Sequence, residues 1–313
     1  MNGYIVVAGG INVDIKGKAF GSMDIGSSSP GAIEITPGGV GRNIAHNLAL
    51  LNVPVFLLSV VGSDAQGAKV LQETSACGVN TEHVLHAQDR ITGTYIALLD
   101  NTGEMTAALS DMQILELLDV DYFSGKLELL EKASYIICDA NLPAESIQYI
   151  VAAANSKGVP VCLEPVSVKK AQKLRDCLRG ISYITPNLDE LAVLAGMDTE
   201  TGKAEQMAAQ LVKSGVSSVI TTLGKDGLCY TSPEGSKLYP CIPAKVSDVT
   251  GAGDSLTAGF FYGLMKHGSI DRALLCGLAA AAVTISSYCT VDPLMSESRI
   301  EMLTSESSLH HML

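Results

Sequence analysis

The chain has 313 residues, of which 47% are hydrophobic and 17% are charged, and its formal net charge at pH 7 is −12. This composition excludes a disordered or fibrous protein and is sufficient to bury the core of a single α/β domain over residues 1–313. The acidic balance argues against nucleic acid and anionic membrane surfaces as partners, because both attract basic patches.

The cysteines and the first residues of the chain indicate in which cellular compartment the protein is expected. Eight cysteines are scattered without a CxxC pair, which indicates free thiols in a reducing environment. The opening residues MNGYIVVAGG run directly into an apolar strand, and no apolar run reaches the roughly 18 residues of a membrane span. We therefore expect a cytoplasmic protein.

The first predicted strand, residues 4–12, is an apolar run with two glycines near its end; Asn12 lies at its carboxyl end and Asp14 just past it. In an open parallel sheet, ligands bind outside the carboxyl ends of the strands. Both side chains are therefore candidates for binding a ligand, with a simple polar turn as the alternative.

A glycine loop at residues 37–43 leads into a predicted helix at residues 44–51. The loop is not a dinucleotide-binding fingerprint, because Ile44 stands where the third glycine would be. This difference argues against a nucleotide-dependent oxidoreductase.

Two segments alternate apolar and polar side chains, as is typical of strands with one buried face. Residues 33–36 alternate apolar and polar side chains, and residues 94–109 predict a hairpin that turns at residues 101–103.

Short β-branched runs alternate with helical segments from residue 55 to about residue 230. The predicted strands are residues 55–61, 135–139, 159–164, 183–186 and 218–223. Such alternation indicates βαβ units and a parallel, doubly wound sheet. Asn141, Glu164, Asn187 and Gly224 lie at or just past the ends of these strands, so we expect them to line one crevice.

The strongest chemical signal is a glycine turn at residues 251–253, followed at once by an apolar run with helical spacing. A helix N-terminus behind such a turn presents unpaired amides and the positive end of the helix dipole, so Gly251, Ala252 and Gly253 can hold a phosphate. Asp254 stands within reach of a hydroxyl that attacks this phosphate. The alternative is that Asp254 only starts the helix.

The segment Asp248-Val-Thr-Gly-Ala-Gly-Asp254 resembles the DTxGAGD signature of the ribokinase-like (PfkB) carbohydrate kinases, and Pro37-Gly-Gly-Val-Gly-Arg-Asn43 resembles their amino-terminal glycine signature. The resemblance covers nearly the whole chain. It implies a three-layer α/β/α fold with a mainly parallel central sheet and a small β-sheet lid, formed by roughly residues 15–36 and 92–110, that covers the sugar.

The resemblance also implies an acceptor site. The role of Arg42 stays open, since ribokinase itself tends to have GGKGAN where this chain has GGVGRN, a difference that points away from plain ribose. The candidate acceptor residues are Asn12, Asp14, Gly38, Gly39, Asn43 and Asn141.

ATP, Mg²⁺ and K⁺ follow from the same resemblance. Residues 187–190 match the family's NxxE motif, which holds Mg²⁺ through water, and residues 222–227 match the turn that carries the ATP phosphates. A helix start and a hairpin turn are the respective alternatives. Glu164 stands where many members have Asp or Asn before a proline, so its role stays open. The implied contacts are Asn187, Thr222, Gly224 and Gly227 for the nucleotide, Glu190 for Mg²⁺, and Asp248 with the Thr250 carbonyl for the monovalent cation.

The predicted reaction is ATP-dependent transfer of the γ-phosphoryl group to the 5′-hydroxyl of a nucleoside, with Asp254 as the base. Residues 29–31, 98–105, 110–112 and 164–167 further resemble the bacterial members that act on pseudouridine, which makes pseudouridine the preferred acceptor. Ribose or another nucleoside such as adenosine or inosine is the alternative. A non-catalytic sensor is disfavoured, because it has no need of a base at this position. A homodimer through the lid is left open.

Overall fold

The computed structural model describes residues 3–23, 26–199 and 203–310. The strands are β1 (Ile5–Ala8), β2 (Asn12–Ala19), β3 (Gly31–Gly38), β4 (Val55–Leu58), β5 (Val60–Gly62), β6 (Leu85–Ala87), β7 (Thr94–Leu99), β8 (Met105–Asp111), β9 (Tyr135–Asp139), β10 (Val161–Glu164), β11 (Tyr183–Ile184), β12 (Ser218–Thr222), β13 (Leu228–Ser232) and β14 (Gly235–Tyr239). The helices are α1 (Val40–Leu50), α2 (Ala65–Ala76), α3 (Val120–Ser124), α4 (Leu127–Glu131), α5 (Ala144–Ser156), α6 (Val168–Gln172), α7 (Leu188–Ala195), α8 (Ala204–Lys213), α9 (Ala252–His267), α10 (Ile270–Ile285) and α11 (Glu297–His310).

The central sheet has the order β14-β13-β12-β11-β10-β9-β1-β4. Its strands are parallel from β12 to β4, and β13 and β14 form an antiparallel edge. After β1 the chain first adds β4 on one side, and later β9 to β12 on the other. The order therefore reverses at β1, and such a switch point leaves a crevice outside the carboxyl ends of β1 and β9.

Both faces of the central sheet are covered, which explains why its strands are continuously apolar. Along β1, Ile5 and Val7 belong to a core shared with α1, α9 and α10. Val6 and Ala8 point into a second core shared with α5, α7 and α8. The arrangement is the predicted three-layer α/β/α fold with a mainly parallel sheet.

A second sheet has the order β3-β2-β7-β8 and lies next to the switch point. Its outer strands contain the alternating segments seen in the sequence, and β7 and β8 form the predicted hairpin. The amide of Val13 donates to the carbonyl of Gly93 (2.9 Å), which joins the two middle strands, β2 and β7, near their first residues.

Two predicted strand boundaries are wrong. The chain leaves the central sheet after Ala8, and Asn12 begins a strand of the second sheet. The single strand expected over residues 55–61 is split at Ser59, whose hydroxyl donates to the carbonyl of Gly9 (2.6 Å). In the part of the chain that the structure describes, every helix is too short or too polar to cross a bilayer.

Candidate active site

Asp139, at the end of β9, is the centre of the crevice. Its side chain is fully buried. One carboxylate oxygen accepts hydrogen bonds from the amides of Gly10 (2.7 Å) and Gly41 (2.9 Å), and the other accepts from the amide of Asn141 (2.8 Å). A single carboxylate thus joins the end of β1, the start of α1 and the loop after β9.

The glycine loop before α1 fits closely against the end of β1. Gly39 has φ 102°, and a Cβ atom there would collide with the backbone of Gly10. A Cβ atom on Gly38 would collide with the carboxylate of Asp14, which itself accepts a hydrogen bond from the Asn12 amide (2.6 Å). The structure therefore brings these four predicted acceptor residues together at one edge of the crevice.

Asn141 completes this side of the crevice. Its amide lies over Gly10, and its side-chain oxygen accepts a hydrogen bond from Lys170. Lys170 is half-buried, and burial lowers its pKa while nearby Asp139 raises it. This lysine therefore contacts a predicted acceptor residue.

Asp254 lies in the first turn of α9 and faces α1. Its carboxylate accepts a hydrogen bond from the Asn43 side-chain amide (2.8 Å), across 211 residues of sequence. Only 9% of the residue is exposed, and burial raises the pKa of Asp254 to about 7. The Asn43 hydrogen bond lowers this pKa, and the charge of Asp139 raises it. A carboxylate with a pKa near the working pH is suited to accept a proton.

The glycine turn before Asp254 has the predicted form, with one difference. Gly251 has φ 80° and precedes the first residue of α9. The amide of Ala252 donates to the carbonyl of Val249 (3.2 Å) and is therefore already engaged. The amides of Gly253 and Asp254 lie in the first helical turn, where helix geometry supplies no acceptor. The anion-binding capacity thus rests on the turn as a whole more than on Ala252.

A cavity of about 540 Å³ lies on the other side of the glycine turn. It is lined by Ala252 and Gly253 of the turn and by Leu278 and Ala282 of α10. Its remaining wall contains three of the predicted nucleotide contacts, Thr222, Gly224 and Gly227. An apolar cavity that opens onto an anion-binding turn suits a nucleobase with attached phosphates.

The fourth predicted nucleotide contact, Asn187, lies beside Thr222, with which it forms an isolated parallel bridge. Asn187 and Glu190 also form a capping box at the start of α7, in which each side chain accepts the other's backbone amide (2.9 and 3.0 Å). The helix-start interpretation of this motif therefore holds, and any ligand role comes in addition to it.

Glu164 lies beneath α9. Its carboxyl group accepts hydrogen bonds from Thr185 (2.5 Å) and from Thr257, one turn after Asp254 (3.2 Å). Burial, together with the neighbouring charges of Asp254 and Glu190, raises the pKa of Glu164 to about 8.

These residues fit a hard divalent cation. Burial raises the pKa of Glu190 as well, and the charge of Glu190 in turn raises the pKa of Glu164, so these two carboxyl groups disfavour each other's ionisation. Mg²⁺ prefers oxygen ligands, and a cation nearby relieves such repulsion.

The predicted monovalent-cation loop lies beside the glycine turn. One oxygen of Asp248 accepts hydrogen bonds from the amide (2.8 Å) and the hydroxyl (2.7 Å) of Thr250. The amide of Ser247 donates to the carbonyl of Ile285 (2.7 Å), which holds the loop against the end of α10. Residues 286–290, which follow α10 in the chain, therefore begin beside this loop.

Thr92, just before β7, and Thr94, its first residue, lie where a nucleobase could be bound. The Thr92 hydroxyl donates to Asp64 (3.0 Å) and accepts from the Gly62 amide (3.0 Å), so its proton is already used. Thr94 lies opposite the exposed Asp111 across β7 and β8. The Thr94 hydroxyl likewise donates, to the carbonyl of Thr92 (2.9 Å), so Thr94 and Asp111 can offer a nucleobase hydrogen-bond acceptors but Thr94 offers no free proton.

Sequence reasoning assigned no role to Asp139. The available signal was a charged residue that directly follows the apolar run 135–138. A carboxylate at the end of a buried strand needs hydrogen-bond donors, but the sequence did not indicate that they come from residues 129 and 98 positions away.

The fold, the nucleotide-sized cavity and a buried carboxylate at a helix N-terminus define a phosphotransferase of the doubly wound α/β type. The chain belongs to the pfkB family of carbohydrate kinases, whose sequence model matches residues 2–297. It is accordingly a kinase of sugars or nucleosides, and ribokinase-like kinases use ATP and Mg²⁺.

Three individual proteins illustrate the similarity. A pseudouridine kinase from Escherichia coli (strain K12) is 38% identical over 82% of this chain and 82% of its own length. A guanosine-inosine kinase from Exiguobacterium acetylicum is 28% identical over 90% of this chain and 94% of its own length. The solved structure of Arabidopsis thaliana ribokinase complexed with ribose and ATP has a TM-score of 0.84 at 25% identity, and the match covers 97% of this chain and 99% of that one.

Proposed function

We propose that this kinase transfers the γ-phosphoryl group of ATP to the 5′-hydroxyl of a nucleoside, and that the nucleoside is pseudouridine. The observation that carries the proposal is the position of Asp254. Its carboxylate contacts Asn43 of the acceptor crevice, and the preceding turn lines the 540 Å³ cavity. One side chain thus stands between a site for a sugar and a site for a nucleotide.

The reaction follows from this placement. Asn12, Asp14, Asn141 and the loop at Gly39 would bind the ribose hydroxyls and direct the 5′ oxygen at Asp254. The 5′ oxygen forms a bond to the γ-phosphorus while the bond from that phosphorus to the bridging β,γ oxygen breaks. Asp254 accepts the proton of the hydroxyl, and ADP leaves with the electron pair. General-base assistance of this kind contributes typically about two to four orders of magnitude in rate.

The glycine turn and the carboxylate group have separate roles in this proposal. Free amides of the turn would donate to the phosphoryl oxygens as negative charge develops there. Glu190, with Asn187 and Glu164 close by, would hold Mg²⁺ through water. When bound, Mg²⁺ neutralises charge on the phosphates of ATP.

The choice of pseudouridine rests on chemistry at the second sheet and on similarity. Pseudouridine carries an N–H where uridine has its glycosidic carbon–nitrogen bond. A hydrogen-bond acceptor in the pocket that faces this N–H would therefore bind pseudouridine in preference to uridine. Asp111 and Thr94, paired across β7 and β8 near the crevice, offer such acceptors. A site built to bind one polar edge rejects an analogue that lacks it by up to about 10⁴–10⁵-fold. The relative at 38% identity is a pseudouridine kinase.

A panel of acceptors tests this choice. With saturating ATP and Mg²⁺, we expect kcat/KM for pseudouridine to exceed those for uridine, adenosine, inosine, guanosine and ribose by at least about tenfold. The similarity to a guanosine-inosine kinase makes purine nucleosides the second candidate. A higher kcat/KM for any other member of the panel would contradict pseudouridine as the preferred acceptor but not the kinase reaction itself.

The proposal includes activation by K⁺ at the loop of Asp248 and the Thr250 carbonyl. Support comes from the position of this loop, which is held against the end of α10 next to the glycine turn. We expect turnover to be several-fold higher in K⁺ than in tetramethylammonium at the same ionic strength. Equal rates in the two salts contradict the site.

We also propose that the second sheet acts as a lid over the acceptor and as a dimer interface. Ile33, Met105 and Leu109 are large apolar side chains that this sheet exposes. Exposed apolar patches commonly mark interaction surfaces. Sedimentation is expected to give twice the 32.7 kDa mass of the chain, and Leu109→Glu is expected to give the single mass. A monomeric wild type contradicts the interface.

A further inference from the structure

Arg42 is a buried guanidinium in the first turn of α1. Only 5% of the residue is exposed. One terminal nitrogen donates to the side-chain oxygen of Asn43 (2.9 Å) and to the carbonyl of Pro37 (3.4 Å), and the other lies 3.1 Å from Nδ1 of His46. Within the described residues its Nε atom has no hydrogen-bond partner. Burying a charge whose hydrogen-bond partners are neutral lowers the stability of the folded protein. A functional role for Arg42 would explain why the chain keeps a guanidinium at this position.

The contact with Asn43 determines which way this amide faces. The two ends of an asparagine amide have nearly the same shape, but guanidinium groups only donate hydrogen bonds. The oxygen of Asn43 must therefore face Arg42, and its NH₂ group faces the carboxylate of Asp254 (2.8 Å). In the reverse orientation, the NH₂ group of Asn43 would face the N–H groups of Arg42, and its oxygen would face the carboxylate of Asp254. Both contacts would then be repulsive.

The charges around both groups agree with this arrangement. Burial lowers the pKa of Arg42. This pKa is raised by Cys77, which directly follows α2, and by Glu73 of α2, Asp14 of β2 and Asp254 of α9. Burial and the adjacent Arg42 lower the pKa of His46 to about 4, so the imidazole is neutral and its Nδ1 accepts from Arg42.

Asp254 is surrounded mainly by carboxyl groups. Asp139 of β9 and Asp14 of β2 raise its pKa, and Glu164 of β10 interacts with it unfavourably. Arg42 opposes them and lowers the pKa of Asp254. Loss of the guanidinium charge therefore makes the carboxylate harder to ionise.

We propose that Arg42 is a positioning residue for the base: its hydrogen bond to the oxygen of Asn43 fixes the NH₂ group of Asn43 toward Asp254, and its positive charge lies close to this site. The inference rests on the proposed role of Asp254 as the proton acceptor. It assigns to the arginine of the glycine signature a role in proton transfer, in place of a direct contact with the sugar.

The test separates charge from hydrogen bonding with three variants and a pH series. Arg42→Lys keeps the positive charge, Arg42→Gln keeps a donor without charge, and Arg42→Met keeps neither. The acid limb of kcat, measured from pH 5 to 9 with pseudouridine, is expected to stay near the wild-type position in Arg42→Lys. It is expected to move to higher pH by at least about half a unit in Arg42→Gln and Arg42→Met. At pH 9 we expect Arg42→Met alone to remain slower than wild type by about tenfold or more, because its Asn43 amide is free to turn.

Arg179→Met is the matched control, because this exposed arginine precedes β11 at the opposite end of the sheet from the crevice. Its pH profile should superimpose on that of the wild type. Melting curves show which variants fold. If Arg42→Met does not fold, Arg42→Lys and Arg42→Gln still test the role of the charge. Wild-type profiles in folded Arg42→Gln overturn the proposal. If Asp254→Asn is inactive while the Arg42 profiles are unchanged, only this inference fails; if Asp254→Asn is active, the proposed base fails with it.

Discussion

Asp254→Asn is expected to reduce turnover by at least about two to four orders of magnitude while changing acceptor affinity only a few-fold. The asparagine can still meet the Asn43 amide through its oxygen, so the contact across the site is kept. It cannot accept a proton at neutral pH. The fold loses nothing that it needs, because burial disfavours the charge of Asp254.

Asp271→Asn provides the same chemical change at a distant position on α10, where the carboxylate is exposed and pairs with Lys237. Its turnover should equal that of the wild type, since an exposed ion pair contributes at most about 1 kcal/mol to stability. Acceptor affinity is measured by calorimetry and turnover by a coupled ADP assay. An Asp254→Asn enzyme with more than about a tenth of wild-type turnover would show that another group is the base.

Gly251→Ala is expected to lower both stability and turnover. An alanine with φ near 80° costs roughly 1–2 kcal/mol, and its Cβ atom would collide with the backbone carbonyl of Thr290. The turn must shift to relieve this collision, and its amides then point away from the phosphate. By analogy with the loss of one donor from an oxyanion hole, we expect kcat to fall by about 10²–10³-fold.

Gly253→Ala is the control for stability. No atom of the described residues lies within 4 Å of a Cβ atom at this position, and the residue is helical. Its free energy of unfolding should be unchanged or higher by up to about 1 kcal/mol. Its turnover should still fall, because the methyl group would enter the nucleotide cavity that Gly253 lines. A Gly251→Ala enzyme with wild-type melting temperature and kcat contradicts the role of the turn.

The sequence predicted those parts of the site that depend on local chemistry. The glycines at 251 and 253 together with an apolar helical period placed the start of α9 correctly, and the apolar run 135–138 placed β9. For residues 187–190 the local pattern could not decide between a capping box and a ligand site, because both require an amide and a carboxylate three residues apart.

Contacts between distant segments could not be predicted in this way. Asp139 holds Gly10 and Gly41 because the order of the strands places the ends of β1 and β9 together. Arg42 is charged and follows a glycine loop, which by pattern alone favours exposure, whereas the structure buries it against Asn43. The split at Ser59 likewise depends on a carbonyl 50 residues away. The candidate base was visible in the sequence, but the groups that orient it were not.

The most direct test of the proposed reaction is the structure of its product. Pseudouridine, ATP and Mg²⁺ are incubated with the wild-type enzyme, and the phosphorus of the new phosphomonoester is correlated with the ribose protons by NMR. We expect coupling of this phosphorus to the two protons on C5′, and we expect Asp254→Asn to form at least about a hundredfold less of this product in the same time. Absence of a phosphomonoester with the wild type, or coupling to the proton on C2′ or C3′, would contradict the proposed transfer to the 5′ oxygen.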